Sequence, residues 1–256
     1  MAKKEAVKES TKKVETKKAT KSVEKAKINP KGEKTNKKTG AAVIDGFLTR
    51  NRLPILIASG LIVLILVVYI ISVSVINNVK EKDLGQIEQI EYLLTKDSTD
   101  LTDEEYNARL DKTIENLQEF VNKGGIIGTR ANMLCADVYA KKGDNENAKK
   151  SWETASKKSG NNYLRPLCKF QAAVYAEELG NNDEAIQLYV EVAKDSMFLD
   201  KPHALFSVAR LNETKGNFTE AQNYYQQILD AGNTNDVWAS LAKTRLIALQ
   251  IDGKIE

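Results

Sequence analysis

GDNENAKKSW, residues 143–152, returns as GNNDEAIQLY at 180–189 and as GNFTEAQNYY at 216–225. The three glycines stand 37 and 36 residues apart. Each is followed five residues later by an alanine (Ala148, Ala185, Ala221) and four after that by a large aromatic (Trp152, Tyr189, Tyr225). Another alanine (Ala136, Ala173, Ala209) precedes each glycine by seven. Glycine readily takes the left-handed conformation that stops a helix, and Asp144, Asn181 or Asn217 just beyond it suits the N-cap of the next. Asn147, Glu184 and Glu220, three residues further on, are placed to reach back, so the two glutamates predict capping boxes. The unit is a helix hairpin: small alanines let two axes approach, and the aromatic fills the space a turn later. One hairpin alone leaves an apolar face in water, so the copies must stack.

This pattern resembles the tetratricopeptide repeat (TPR) family. The matching residues are Ala136/Ala173/Ala209 in the first helix, Gly143/Gly180/Gly216 at the turn, then Ala148/Ala185/Ala221 and Trp152/Tyr189/Tyr225 in the second. The period exceeds the family's usual 34 by two or three residues, which longer hairpins or linkers would explain. The family's early Trp is missing, and only the first copy has its first-helix Tyr (Tyr139). The resemblance implies a protein-interaction groove lined by the fifth position of each first helix and by residues one turn away. These map to Met133, Phe170 and Phe206, to Asp137, Val174 and Arg210 one turn later, and to Leu167 and His203 one turn earlier. An apolar stripe with mixed charge suits extended or unfolded polypeptide. The Lys and Asn set of the family's carboxylate clamp is not present. An equally open reading packs Phe170 and Phe206 against the next helix or the C-terminal cap.

Outside the repeats, Thr102-Asp-Glu-Glu105 is a capping box, and Tyr106, Leu110, Ile114, Leu117 and Val121 form the apolar face of the helix it opens. Gly124-Gly125 ends that helix. Leu84, Ile87, Ile90 and Leu93/Leu94 also recur at helical spacing, so this segment extends as an amphipathic helix or bends near Gly85. Asp200-Lys-Pro202 caps and opens the third copy's first helix. VWASLAKTRLIALQ, residues 237–250, reads as a helix that closes the stack.

Upstream lies Pro54–Ile76, PILIASGLIVLILVVYIISVSVI, in a run that carries no charge between Leu53 and Val79. At about 1.5 Å per residue it spans a hydrocarbon core of roughly 30 Å. It has no polar stripe of the kind a soluble core helix keeps. It is longer than a signal peptide's apolar region and starts after 53 residues, so the expectation is an uncleaved signal-anchor. The overall charge of +3 hides a split: residues 1–53 carry 16 Lys/Arg against 6 Asp/Glu, a net of +10, and the remainder a net of −7. The positive-inside rule then puts the N-terminus in the cytoplasm and the repeats across the membrane.

Residues 2–40 are Lys, Glu, Thr, Ala and Ser without an aromatic, a composition that predicts disorder. Such a tail serves as a topology signal, adheres to anionic lipids, or touches nucleic acid; without aromatics to stack on bases, no specific nucleic-acid partner is expected. Residues 41–53 look like an amphipathic lead-in with Arg50 and Arg52 at the headgroups. Cys135 and Cys168 fall within apolar helical patterns, and spacing leaves open whether they are bridged. With one histidine, no Gly-rich phosphate loop and no His/Cys metal spacing, an enzyme is not expected, nor is a cofactor or metal.

The expected fold is all-α, a single transmembrane helix followed by a short TPR-like solenoid. Its parts are a Lys-rich tail (1–45), lead-in and span (46–79), connecting helices or a degenerate hairpin (80–123), three hairpins (124–233) and a capping helix (234–256). This layout is similar to the bacterial inner-membrane TPR proteins typified by the ancillary subunit of the Sec translocon (YfgM type). That resemblance implies an extracytoplasmic, chaperone-like array that contacts the translocon and emerging secretory proteins. A scaffold for an envelope complex, or a cytosol-facing tethered adaptor, are the alternatives.

Overall fold

A computed structural model describes residues 40–232 and 237–256, all-α among these residues; the disorder expected of the tail falls on residues 1–39, outside the described part. The described residues divide into two units between Val63 and Leu64. In the first, α1 (Gly40–Arg50) covers most of the stretch 41–53 read as an amphipathic lead-in. Asn51 follows as a turn, and α2 (Arg52–Thr95) begins.

In the second unit α2 runs through Gly85 as one helix to Thr95, without a break. Among the described residues it is the one helix long and apolar enough to cross a membrane, and none of its apolar window is buried. Further on, Ile87 and Leu94 are buried with Leu110, Leu117 and Phe120 of α3 (Asp103–Val121) and with Ile127, Ala131 and Val138 of α4 (Gly125–Lys141). Thr102 closes the capping box, accepting from the Glu105 N–H while Glu105 accepts from the Thr102 N–H at 2.9 Å. Buried Asp83 is held by Lys123 at 2.8 Å. A buried carboxylate without such a partner would be costly.

Three hairpins follow: α4 with α5 (Asn145–Lys158), α6 (Leu164–Glu178) with α7 (Asn182–Lys194), and α8 (Lys201–Thr214) with α9 (Phe218–Asp230). Each first helix ends on its repeat glycine at φ of 73°, 75° and 80°. The next N–H bonds back five residues in each case: Asp144 to Tyr139, Asn181 to Ala176 and Asn217 to Asn212, all 2.9 Å. This Schellman geometry is why the glycine is there. The six repeat alanines are fully buried, and so nearly are Trp152, Tyr189 and Tyr225. The length beyond 34 residues sits in the links 159–163 and 195–200.

The N-caps differ from expectation. Asp144 accepts from the Asn147 N–H at 3.1 Å, but Asn181, Asn217 and Asp200 make no side-chain cap. Glu184 reaches across to Lys149 of α5 at 2.7 Å instead, and Asp200 meets His203. An ion pair between hairpins outcompetes a local cap there.

α10 (Val237–Ile251) packs on α8 and α9 with Ala239, Ala242 and Leu249 buried. It stops like the others, at Gly253 (φ 65°) with the Lys254 N–H bonding to the Leu249 carbonyl. Gly253 lies 37 residues beyond Gly216, so α10 occupies the place of a fourth first helix. Its other face exposes Val237, Leu241, Ile247 and Ile251.

Candidate protein-binding site

The groove residues named from the sequence fall into two groups. Phe170 (6% exposed) is enclosed: its ring meets Tyr189 edge-on at 5.2 Å, stacks on Phe198 at 5.3 Å and touches His203 at 4.7 Å. His203, half-buried, also lies parallel to Trp238 of α10 at 4.0 Å, and its Nδ1 is 3.2 Å from Asp200. Phe206, half-buried, leans on Tyr225 and Trp238, both at 5.4 Å. These aromatics join α6, α8 and α10 into one wall. Offset and edge contacts of this kind stabilise beyond the area they bury.

The second group stays nearer the surface. Met133, Leu167 and Val174 are half-buried, and Asp137 and Arg210 are exposed. Arg210 is committed: it reaches Glu177 of α6 at 2.6 Å, and the same carboxylate accepts the Tyr189 hydroxyl at 3.4 Å. One hairpin on, Arg245 of α10 grips Glu213 of α8 through two nitrogens while Glu213 accepts the Tyr225 hydroxyl at 3.0 Å. At the other end Arg130 pairs with Glu91 at 3.3 Å.

The arginines on this face are therefore tied to carboxylates of the neighbouring helix. Pairs at the edge of low-dielectric packing keep the helices in register, and they leave those cations occupied. Burial pushes the Tyr189 and Tyr225 phenols well above the ordinary tyrosine range, with the neighbouring glutamates adding to it. Both hydroxyls remain protonated donors. Asp137 is different. Although the residue is exposed overall, partial desolvation among its neighbours raises its carboxyl and Glu91 adds to that, against Lys141 and Arg130, and it makes no ion pair among the described residues.

The Glu–Tyr–Arg device was not anticipated from the sequence. Its trace is present, because Glu177 and Glu213 each precede the repeat glycine by three and the tyrosine follows by nine. Trp238 and Phe198 lie outside the repeated register, and no spacing pointed to them.

Residues 133–196 and 170–236 match the family described as Tetratricopeptide repeat. A TPR repeat-containing protein of Treponema pallidum (strain Nichols) is 30% identical over 131 residues, 51% of this chain and 54% of that protein. The chain thus spans about half the length of the curated relative it matches. Among solved structures, a Podosopora anserina chain with nearly identical TPR-like repeats has a TM-score of 0.47 at 14% identity, over 66% of this chain and 86% of that one. MamA protein has 0.41 at 17% identity, over 61% and 86%. Residues 133–236 of this chain thus carry the repeat that this family model describes, folded as stacked helix hairpins.

Proposed function

We propose that the chain is a membrane-anchored module that holds extended or partly folded polypeptides on the face of its first helices. The observation that carries this reading is the state of that face. Met133, Leu167, Val174 and Phe206 stay partly exposed there, while Arg130, Arg210 and Arg245 are each occupied by a glutamate. A face with apolar side chains and spent cations favours the body of a polypeptide over its C-terminal carboxylate. The apolar part of α2 supplies the anchor, and the basic flank of residues 1–53 favours an extracytoplasmic array. The layout is similar to that of the translocon's ancillary subunit, so the clients are secretory or envelope proteins at the Sec translocon.

Purification of the full chain in mild detergent, followed by mass spectrometry, tests this. Translocon subunits with many substoichiometric secretory proteins are the expected result. Protease added to the cytosolic side of sealed vesicles must leave the repeats intact; their digestion there would overturn the topology. A second reading, a scaffold for one folded partner, is favoured by the outer face of α10, where Val237, Leu241, Ile247 and Ile251 are exposed. It predicts a single stoichiometric partner in the same purification.

A further inference from the structure

Two of the three junctions along the stack are sealed by the same device, and the remaining one is not. Glu177, Tyr189 and Arg210 close the junction of the second and third hairpins; Glu213, Tyr225 and Arg245 close that of the third hairpin and α10. Between the first and second hairpins the counterparts of the glutamate and tyrosine are Ala140 and Trp152; Arg210 lies six residues before its glycine and Arg245 eight before Gly253, and the counterparts here are Val174 and Ala172. Ala140 offers no acceptor and Val174 no cation. The indole of Trp152 is only 6% exposed, and its N–H has no hydrogen-bond partner. A buried N–H left unpaired costs about 1–3 kcal/mol, and native structures leave few.

The surroundings of this N–H have a consistent character. Trp152 is buried with Ala136 of α4 and with Cys168 and Ala172 of α6, and the half-buried Met133 and Tyr175 pack against the same cluster. Nearby, Asp137 on α4 and Glu178 on α6 are both exposed, and neither has an ion-pair partner among the described residues. Both charges act on Tyr175, whose phenol is raised by burial first and then by Asp137 and Glu178. Of the neighbouring cations, Arg130 is held by Glu91 at 3.3 Å, and Lys141 lies one turn along α4 from Asp137. Glu91, Asp137 and Glu178 against Arg130 and Lys141 leave the junction negative. At the sealed junctions an arginine of the chain itself supplies the missing cation.

We propose that the open junction between α4 and α6 is the subsite for an extended, basic stretch of polypeptide. A main-chain carbonyl of the bound chain accepts the Trp152 N–H, and a Lys or Arg side chain lies between Asp137 and Glu178. The inference rests on reading the array as polypeptide-binding. The unbranched side chain of Met133 swings aside to admit the chain, as its three soft torsions allow. The ligand thus supplies both groups that the sealed junctions carry internally: an acceptor for the buried donor and a cation for the carboxylates.

The test uses the full chain in a non-ionic detergent and fluorescein-labelled decapeptides of alternating Val and Lys, or Val and Glu, read by anisotropy. The Lys peptide is expected to bind at least 10-fold tighter than the Glu peptide. Trp152→Phe removes the donor together with part of the ring volume; with folding checked by Tm, it is expected to weaken binding by about 2- to 10-fold, the worth of one hydrogen bond. Asp137→Asn with Glu178→Gln is expected to erase the preference for Lys. Ala140→Glu, Trp152→Tyr and Val174→Arg together rebuild the seal, and this variant is expected to lose binding with an unchanged or higher Tm. Should it fail to fold, the surface pair Asp137→Asn/Glu178→Gln decides. A Lys-peptide affinity and Lys preference left unchanged by both Trp152→Phe and Asp137→Asn/Glu178→Gln, or a preference for Glu, overturns the subsite and leaves the polypeptide-binding reading standing. Binding of neither peptide overturns both.

Discussion

Gly128 of α4 faces the backbone carbonyl of Lys123 so closely that a Cβ added to it would lie 1.9 Å from that oxygen. The same Cβ would stand 2.8 Å from Lys158 Cδ. The obstacle is backbone rather than a flexible side chain. Around it, Asn132 donates to the Val121 carbonyl at 2.8 Å and to the Gly128 carbonyl at 2.7 Å, and Lys158 donates to the Asn122 and Lys123 carbonyls. The C-terminus of α3 is thus tied down over Gly128, where the stack of hairpins begins. Gly128→Ala is expected to destabilise the array by about 1–3 kcal/mol, as overpacking of a filled site does. A urea midpoint that matches wild type would refute the contact.

Removing the glutamate from a sealed junction exposes its value. Glu213→Ala leaves the Tyr225 hydroxyl buried without its acceptor and releases Arg245 to water. A loss of about 1–3 kcal/mol is expected from the orphaned donor, with little from the half-exposed arginine. Glu213→Gln retains an acceptor and should recover most of it. Hydrogen exchange in α10 is the sensitive readout, because Arg245 is that helix's charged tie to α8, beside the Trp238 contacts.

The acid limb of the stability curve carries a signature of the first hairpin. Hydrogen bonds from the Asn147 side chain and main chain hold the Asp144 carboxyl below the usual carboxylate range. A depressed folded value means that its contribution is complete above the unfolded value of about 3.9 and is lost as pH falls through the folded one. Asp144→Asn keeps a capping oxygen that does not titrate. The variant's melting temperature should therefore fall less than wild type between about pH 4 and pH 2. Parallel curves would exclude Asp144 as a contributor.

Cys135 and Cys168 are free, buried thiols, and burial pushes both up to about 12. The thiolate is the reactive form, so neither should react with an alkylating reagent at pH 8 in the folded chain. Both should react together on unfolding in urea. Rapid labelling of either in native buffer would show that its cluster opens.

Much of the hairpin architecture was legible because it is written in local chemistry. A glycine that must adopt a positive φ, small residues where axes meet, and an aromatic one turn later recur at fixed offsets, and each has a single structural use. Gly253 completes that series at the same interval, so even the role of α10 was present in the spacing. The capping boxes at Glu184 and Glu220 misled because local geometry permits them, whereas the hairpin beside α7 offers Glu184 a better partner in Lys149. The aromatic wall was half visible. Phe170 and Phe206 stood in register, but Phe198 and Trp238 come from a link and from α10.

The sequence by itself determined the repeat, its turns, the apolar run of α2 and the charge difference across that run, because each depends on residues near one another in the chain. Only the tertiary structure decided which charges are spent and which are free. Arg210 and Glu177 are separated by 33 residues, and no periodicity tells whether such a pair meets. That pairing depends on how helices of different hairpins lie side by side, which is set by the sum of packing along the stack. It is also what separates two sealed junctions from the open one at Trp152.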